Sequence, residues 1–158
     1  MKHNLLRAAL VLMAWSAAVQ ARPVVTIGPG LNSGRTIYHQ HFNRTLHADS
    51  LYTLTGQYLV DSLFSMTIQP GTVVQGDTAA VLVITRGAKI FASGEPCNPI
   101  IFTSMKPAGQ RNRGDWGGVV LLGAAPINKV NPLIEGGILT GTYGGTNPND
   151  NSGIIKYT

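Results

Sequence analysis

The side chains best able to do acid–base chemistry in this sequence are its carboxylates. A pair of carboxylates can act on a glycosidic bond as general acid and base, or as acid and nucleophile. The chain has only seven acidic residues, and no two of them lie within ten residues of each other: Asp49, Asp61, Asp77, Glu95, Asp115, Glu135 and Asp150. Distant acids can still meet in a folded chain, but the sequence by itself predicts no catalytic residue.

Two further sets of side chains carry atoms that bind metal ions. His39, His41 and His47 offer imidazole nitrogens, and His39 and His41 would point to the same face of a strand. Because no carboxylate or cysteine accompanies them at a matching spacing, a surface strand is favoured over a metal site. The oxygen atoms of one Gly-rich segment could bind calcium weakly, but they commonly satisfy turn backbone groups instead, and the turn is favoured: Asn147, Asn149, Asp150 and Asn151. The sequence therefore predicts no cofactor, with calcium as a weak alternative.

Two isolated features of the sequence do not by themselves indicate a function. Cys97 is the single cysteine, which excludes an internal disulfide and a zinc site built from several cysteines. Arg113, Gly114 and Asp115 spell a tripeptide that some adhesion receptors bind, but Trp116 follows immediately. We expect Asp115 to hold a corner of the backbone and Trp116 to cover the adjoining part of the fold.

The elements that position these residues are predicted to be β-strands. The 158 residues are 44% hydrophobic and 12% charged and include 19 Gly and 9 Pro, which favours a tightly turned β protein over a disordered chain. No segment after the N-terminus keeps a helical spacing of apolar residues. Short apolar runs cut by Gly, Pro, Asn and Asp predict these strands: residues 51–54, 57–60, 65–69, 72–75, 80–85, 88–92, 99–104 and 118–122.

The N-terminus has the features of a signal peptide. Lys2 and Arg7 precede an uncharged apolar run that ends near Val19, and the small side chain of Ala21 suits cleavage after that residue. The apolar run is too short to cross a bilayer, which needs about 20 residues. Residues 1–21 are therefore predicted to be removed on export, and no transmembrane span is predicted in the mature chain. Its remaining basic residues are scattered, which argues against nucleic acid as a partner.

A repeat along the chain predicts a solenoid. Residues 66–74 align with residues 82–90, and a partial copy follows at 119–125. A unit of strand, glycine corner and strand at a short period is typical of β-solenoids. Residues 22–50 are predicted to lead into the coils and cap them, and residues 51–158 to form the coils. The predicted interior ladders are Ile68 with Ile84, Val74 with Ile90, and Val120 with Leu122.

Two polar segments are predicted to protrude from the coils as loops. Residues 105–113 are polar and basic, and residues 142–151 are rich in Gly and Asn. Because loops on a rigid scaffold commonly carry function, a contact surface is expected in residues 105–117 and 142–152. The candidate contacts for an anionic glycan or a partner protein are Arg111, Arg113, Asp115, Trp116, Tyr143 and Asp150.

A series of motifs covers residues 45–158. It comprises TIQPGTVVQG at 67–76, ITRGAKI at 84–90, NPIIFTS at 98–104, GDWGG at 114–118, IEGG at 134–137 and YGGTNPNDNSG at 143–153. In wording, order and spacing the series resembles the N-terminal part of secreted, right-handed parallel β-helix proteins, related in fold to pectate lyases. Such proteins occur as large surface or outer-membrane proteins of Bacteroidetes-type bacteria.

The resemblance implies an all-β, right-handed parallel β-helix on an exported protein, which usually has no assigned activity and often has a C-terminal sorting domain. Because residues 154–158 read as the start of a strand, we expect the chain to be truncated, as a fragment of a longer protein. The expected location is the bacterial cell surface or outer membrane, or the medium.

The expected function is non-enzymatic structural or adhesive display, with an extracellular polysaccharide or a surface protein as partner. The alternative is the N-terminal part of a polysaccharide lyase or hydrolase. Pectate-lyase-like enzymes act on acidic polysaccharide through clustered carboxylates that hold calcium and an Arg or Lys base on the outside of the helix. A third, less favoured function is self-assembly through the last strand.

Overall fold

The computed structural model describes residues 21–30, 37–130, 132–134 and 141–158. The predicted signal peptide, apart from Ala21, and residues 135–137 of the motif series lie outside these ranges. None of the described segments is a helix that is long and apolar enough to cross a membrane. The described residues form short strands: β1 (Val24–Ile27), β2 (Ile37–Gln40), β3 (Arg44–Leu46), β4 (Leu51–Leu54), β5 (Gln57–Val60), β6 (Ser65–Ile68), β7 (Val73–Gly76), β8 (Val81–Ile84), β9 (Lys89–Ser93), β10 (Ile101–Ser104), β11 (Val119–Leu121) and β12 (Gly153–Lys156).

The strands stack into three parallel sheets. Sheet A has the order β1-β4-β7-β10, sheet B has the order β11-β8-β5-β2, and sheet C has the order β12-β9-β6-β3. Each rung of the coil thus contributes one strand to each sheet, starting with β1, β4, β7 or β10. This arrangement confirms the prediction of an all-β parallel β-helix, and the strands predicted from residue 51 onward are all present.

Residues 22–50 contain a rung of their own. β1, β2 and β3 pair with β4, β5 and β6 in the same parallel manner as the later rungs. Their apolar pattern is weaker than that of later strands, because each has only one fully buried residue at its end. The stacked sheets therefore begin at β1, before the segment in which the sequence predicted the coils.

Two of the predicted interior ladders are wrong, because the short repeat is not a full rung. Residues 66–74 hold β6 and β7, whereas residues 82–90 hold β8 and β9, so the two copies lie on different sides of the coil. What the copies share is the corner, where Gly71 and Gly87 have positive φ angles of 77° and 84°. Between the second and third rungs the registers instead join residues 22 to 24 positions apart: Leu51 with Val73, Tyr58 with Leu82, and Met66 with Ile90.

Inward-facing side chains fill the coil with an apolar core. Alternate residues of each strand point inward, so that equivalent positions of successive rungs pack on one another. The pairing of Val60 with Ile84 and of Met66 with Ile90 supplies two such stacks. The largest buried side chains of this core are Ile27, Leu46, Leu54, Tyr58, Met66, Ile68, Leu82, Ile84, Ile90 and Ile100.

One polar pair is built into this core. The Tyr58 hydroxyl donates to Oε1 of Gln40 at 2.9 Å, and Nε2 of Gln40 donates to the carbonyl oxygens of Phe42 and Ser65 at 2.7 and 3.0 Å. Burial raises the pKa of Tyr58, and the nearby Arg44 guanidinium partly opposes this shift. Since every polar atom of the buried Gln40 side chain has a partner, the pair holds the end of β2 against the next rung at little desolvation cost.

A second apolar cluster lies on the outer face of sheet B. All four residues of β8 are buried, because Val81 and Val83 on its outer face are covered as well as its inner face. The covering residues come from the segment after β11 and include Leu122, together with the partly buried Ile134 and Tyr143. Val120 also belongs to this outer cluster, so the predicted interior ladder of Val120 and Leu122 is wrong.

Truncation of Ile90 should test the position of the core. Ile90 is fully buried in β9, whereas Ile101 in β10 is 45% exposed. We expect Ile90→Ala to lower the free energy of unfolding by about 2–5 kcal/mol, because it leaves a cavity in the coil. Ile101→Ala removes the same atoms from a partly solvated site and should cost less than half as much. Urea unfolding of both variants checks this, and equal losses would contradict the inward orientation of Ile90.

Candidate functional site

The six candidate contact residues lie in two loops of the last rung. The β10–β11 loop, residues 105–118, carries Arg111, Arg113, Asp115 and Trp116, and the β11–β12 loop, residues 122–152, carries Tyr143 and Asp150. Because β10, β11 and β12 belong to sheets A, B and C, the loops form two successive corners with β11 between them. The protruding loop predicted at residues 105–113 is confirmed, since that whole range is exposed.

Asp115 anchors the β10–β11 loop from inside. Its buried carboxylate accepts a hydrogen bond from Nζ of Lys106 at 2.6 Å and one from the backbone N–H of Asn112 at 2.8 Å. The Lys106 ammonium, followed by the Asn112 N–H, holds the pKa of Asp115 below its usual value. The expected role of Asp115 in holding a corner is therefore confirmed, and both of its oxygens are engaged within the loop.

Trp116 closes the same loop onto the preceding rung. Its ring packs against the interior apolar cluster and lies so close to Gly76, the last residue of β7, that a Cβ there would overlap the indole. The next residue, Gly117, donates its N–H to the Ala80 carbonyl at 2.7 Å. The expectation that Trp116 covers the adjoining coil is thus confirmed, and a tryptophan side chain explains why β7 ends in glycine.

The outer surface of the β10–β11 loop is cationic. Arg111 and Arg113 are exposed, and Nε of Arg111 donates to the Lys106 carbonyl at 2.8 Å, which fixes the direction of that side chain. The Lys106 side chain is half exposed even though its Nζ contacts Asp115. The loop therefore presents three cationic side chains, while its one carboxylate is buried.

In the β11–β12 loop the polar oxygens bind the backbone. Oδ2 of Asp150 accepts the Ala124 N–H at 2.7 Å, which ties the end of this loop to its beginning. Oδ1 of Asn147 accepts the Asn149 N–H at 3.0 Å, and Oδ1 of Asn151 accepts the Gly153 N–H at 2.7 Å. These contacts are the ones that the turn interpretation of this Asn-rich segment predicts.

Tyr143 lines a cleft of about 470 Å³ beside the outer face of sheet B. The loop that forms this cleft is held to the turn after β8 through Nη1 of Arg86, which donates to the Gly144 carbonyl at 2.9 Å. An aromatic side chain and a lysine in one cleft suit a sugar ring that carries an acidic group. The motifs of the sequence do not predict this cleft, although the uninterrupted apolar run of β8 indicates burial on both faces. The cleft is lined by Leu121, Leu122, Lys129, Pro132, Leu133, Ile134 and Tyr143.

A smaller pocket of about 190 Å³ joins acids from successive rungs. Asp77 follows β7, and Asp115 and Lys106 follow β10 on the next rung, so stacking places all three in the wall of this pocket. Oδ1 of Asp77 accepts the Ala79 N–H at 3.0 Å. Two acids that are distant in sequence thus line one pocket together with a lysine, a possibility that the sequence left open.

Stacking of the rungs also brings together three side chains of metal-binding types, His39, His41 and Asp61. His39 Nδ1 lies 2.9 Å from Oδ1 of Asp61, and His41 Nδ1 lies 2.9 Å from Oδ2 of the same carboxylate. The sequence-based argument that no carboxylate matches the two histidines is wrong, because Asp61 reaches them from the next rung. His47, which follows β3, is not part of this group.

Asp115 should make stability depend on acid pH. A carboxyl group whose folded pKa is lowered stabilises the fold above its unfolded pKa of about 3.9, and this contribution is lost as pH falls through the folded value. We therefore expect Asp115→Asn to be less stable than the parent at pH 7, with the difference shrinking below about pH 4. Urea unfolding across this range tests it. Asp49→Asn, which removes one exposed carboxylate, is the control, and a difference for Asp115→Asn that does not change with pH would contradict the prediction.

Comparison with known proteins places this geometry in a family. The family model described as "Pectate-lyase like beta helix domain" matches residues 37–158, a range that runs from the first residue of β2 and includes both loops. Searches of curated proteins and of solved structures found no match. The matched range covers most of the chain and contains every strand from β2 to β12, so the chain belongs to the pectate-lyase-like β-helix family.

Proposed function

We propose that this β-helix is an exported, non-enzymatic surface protein that contacts acidic polysaccharide through the β10–β11 loop. The observation that carries the proposal is the cationic surface of that loop. Lys106, Arg111 and Arg113 are exposed to solvent, while the one carboxylate among them, Asp115, is buried beneath. A polymer that carries regularly spaced carboxylates could meet several of these cations at once.

The loop is held firmly enough to present its cations in fixed positions. Asp115 binds its two ends together, and Trp116 packs its C-terminal part onto the preceding rung. Binding then costs less ordering entropy than it would on an untethered loop. Arginine also suits the partner, because its planar guanidinium can bind a carboxylate through two hydrogen bonds.

Contacts of this kind are individually weak. An ion pair between exposed groups contributes about 0–1 kcal/mol, so the three cations support low-affinity binding that falls as salt concentration rises. Repetition along a polymer compensates for this, since one chain of polysaccharide can engage many copies of the protein on a surface. Display on a cell surface therefore fits the chemistry of the loop better than tight binding of a small sugar.

Removal of a signal peptide is compatible with the contacts that the first described residues of the coil make. Among the described residues, Arg22 donates from Nη1 to the Gly71 carbonyl at 3.0 Å, and the Pro23 carbonyl accepts the Leu51 N–H at 2.9 Å. Both residues follow the predicted cleavage site directly. Removal of residues 1–21 would leave every one of these contacts in place.

A polysaccharide lyase is the second candidate function, and the pocket of Asp77, Lys106 and Asp115 favours it. In such an enzyme a lysine or arginine removes a proton from the sugar. Lys106 would first have to leave Asp115, to which it donates at 2.6 Å. That requirement makes Lys106 a better anchor and surface cation than a base, and we rank the lyase second.

Polysaccharide binding should depend on the two loop arginines. We expect Arg111→Ala/Arg113→Ala to weaken binding to polygalacturonate about tenfold, since two exposed pairs together contribute about 1.4 kcal/mol. Lys89→Ala/Lys156→Ala removes the same charge from exposed positions of sheet C and should change binding little. Affinity electrophoresis in gels with polygalacturonate or a neutral glucan measures both variants.

The same samples separate the two candidate functions. Incubation of the parent protein with polygalacturonate, with and without calcium, should release no unsaturated ends that absorb in the ultraviolet. Release that disappears in Lys106→Ala would establish the lyase instead. Equal weakening by the two double variants would show that net charge, and not the loop, governs binding.

Export can be tested by the mass of the mature protein. We expect expression of the full sequence in a Gram-negative host to yield an exported protein whose first residue is Arg22, because Ala21 fits the peptidase pocket. Intact mass and N-terminal sequencing of the periplasmic fraction measure this. Retention of Met1 in a cytoplasmic product would contradict export, and the variant Ala21→Arg, which blocks the cleavage site, is the control.

A further inference from the structure

The group of His39, His41 and Asp61 lies on the outer surface where the first rung meets the second. Each of the three side chains offers one ligand atom, and these atoms lie within 4.8 Å of one another. We propose that the group binds a divalent transition-metal ion of the zinc class, which joins the first rung to the second. The site is separate from the β10–β11 loop, and its existence does not depend on polysaccharide binding.

Strand register brings the three residues together. β2 pairs with β5 so that Gln40 lies beside Val60, and the next position on each strand is therefore His41 beside Asp61. The Asp61 N–H donates to the Gln40 carbonyl at 3.2 Å, which extends the pairing to the site itself. The histidines and the carboxylate are thus held by backbone contacts of the fold.

The side-chain directions follow from the buried residue between the histidines. Gln40 is completely buried and bonded to Tyr58, Phe42 and Ser65, so its side chain points into the coil. Successive side chains of a strand point to opposite faces, which sends His39 and His41 outward on the same side. The two imidazole rings are nearly parallel, with centroids 5.8 Å apart and planes inclined by 7°.

The distances are close to those that one ion requires. Zinc binds imidazole nitrogen and carboxylate oxygen at about 2.0–2.2 Å, so adjacent ligand atoms on one ion lie roughly 3–3.5 Å apart. Both Nδ1 atoms already point at the same carboxylate, at 2.9 Å from its two oxygens. Small rotations of the three side chains would therefore admit an ion between them.

The ligand set selects the class of metal. Two imidazoles and one carboxylate suit zinc, nickel and copper, whereas calcium and magnesium prefer oxygen ligands alone. The His41 side chain is 69% exposed and that of Asp61 is 19% exposed, so an ion can reach the site and keep water at its remaining positions. Such a site has three protein ligands and is open on its outer side.

The third rung does not extend the site. Thr85 is the position that follows β8 next to Asp61, and its hydroxyl donates to the Val60 carbonyl at 2.7 Å. An ion would therefore contact only the first two rungs and fasten β2 to β5 from outside. Since binding to the folded state alone stabilises it, the ion should raise the melting temperature.

Zinc titration of the tag-free, chelator-treated protein tests the proposal. Cys97 is an exposed thiol that could bind zinc by itself, so all samples carry Cys97→Ser. We expect calorimetry to show one zinc ion per chain, no comparable binding of calcium or magnesium, and a zinc-dependent rise in melting temperature. Cobalt should give the visible absorption of a nitrogen- and oxygen-ligated ion.

Variants separate the site from adventitious binding. We expect His41→Ala and Asp61→Asn each to weaken zinc binding by about tenfold or more and to abolish the rise in melting temperature. His47→Ala removes an exposed histidine outside the group and should bind zinc like the parent. Because the His41 side chain is mostly exposed to solvent, the melting temperature of His41→Ala in chelator should match that of the parent. This match would show that the variant folds. Equal zinc affinity in the parent and His41→Ala, or no saturable binding by the parent, would overturn the proposal.

Discussion

Backbone hydrogen bonding between successive rungs, in one fixed register, is the constraint on which the rest of this structure depends. Parallel strands pair all along sheets A, B and C, and each pairing makes neighbours of equivalent residues in successive rungs, as with Leu51 and Val73 or Met66 and Ile90. The apolar stacks of the interior follow directly, because equivalent inward positions meet. The same register lines up outward positions, and it alone brings Asp61 to His41 and Asp77 to the pocket of Asp115.

The last rung shows how a coil keeps its register despite long insertions. β10, β11 and β12 pair with the preceding rung, although residues 105–118 and 122–152 intervene between them. Closing a longer loop costs only slightly more entropy, and each insertion is anchored by its own contacts. Asp115 and Trp116 secure the first loop, and the outer apolar cluster with Arg86 secures the second. Insertions can therefore vary the surface while the coil stays unchanged.

Local features of this fold could be predicted from the sequence, whereas the stacking of its strands could not. Short apolar runs predict the strands from β4 to β11, and the residues around Trp116 predict that its ring covers the adjoining coil. Both predictions succeed because they depend on residues that are adjacent in sequence. The pairing of rungs does not follow from the short repeat, because Gly71 and Gly87 need the same backbone angles at different corners, which produces the same motif on different sides.

The candidate sites, too, include features that the local sequence predicts and features that depend on strand stacking. The exposure of Arg111 and Arg113 was predictable from the polar segment around them. The cluster of His39, His41 and Asp61 was not, since it depends on the register of β2 against β5 and the sequence carries no mark of that register. One feature of the sequence does indicate the cleft beside Tyr143. It is the uninterrupted apolar run of β8, whose outer face must be covered by another segment.

The buried Gln40 also limits how β2 can slide along β5. A slip of one residue turns every side chain of a strand to the opposite face. It would bring an imidazole into the interior, expose the Gln40 amide and leave the Tyr58 hydroxyl without its acceptor, and each buried polar group left unsatisfied costs about 1–3 kcal/mol. The hydrogen bonds of Gln40 inside the coil thus fix the register of β2 against β5. Apolar side chains cannot do this by themselves, because they can replace one another. The fixed register keeps the two histidines level with Asp61 whatever the length of chain that leads into β2.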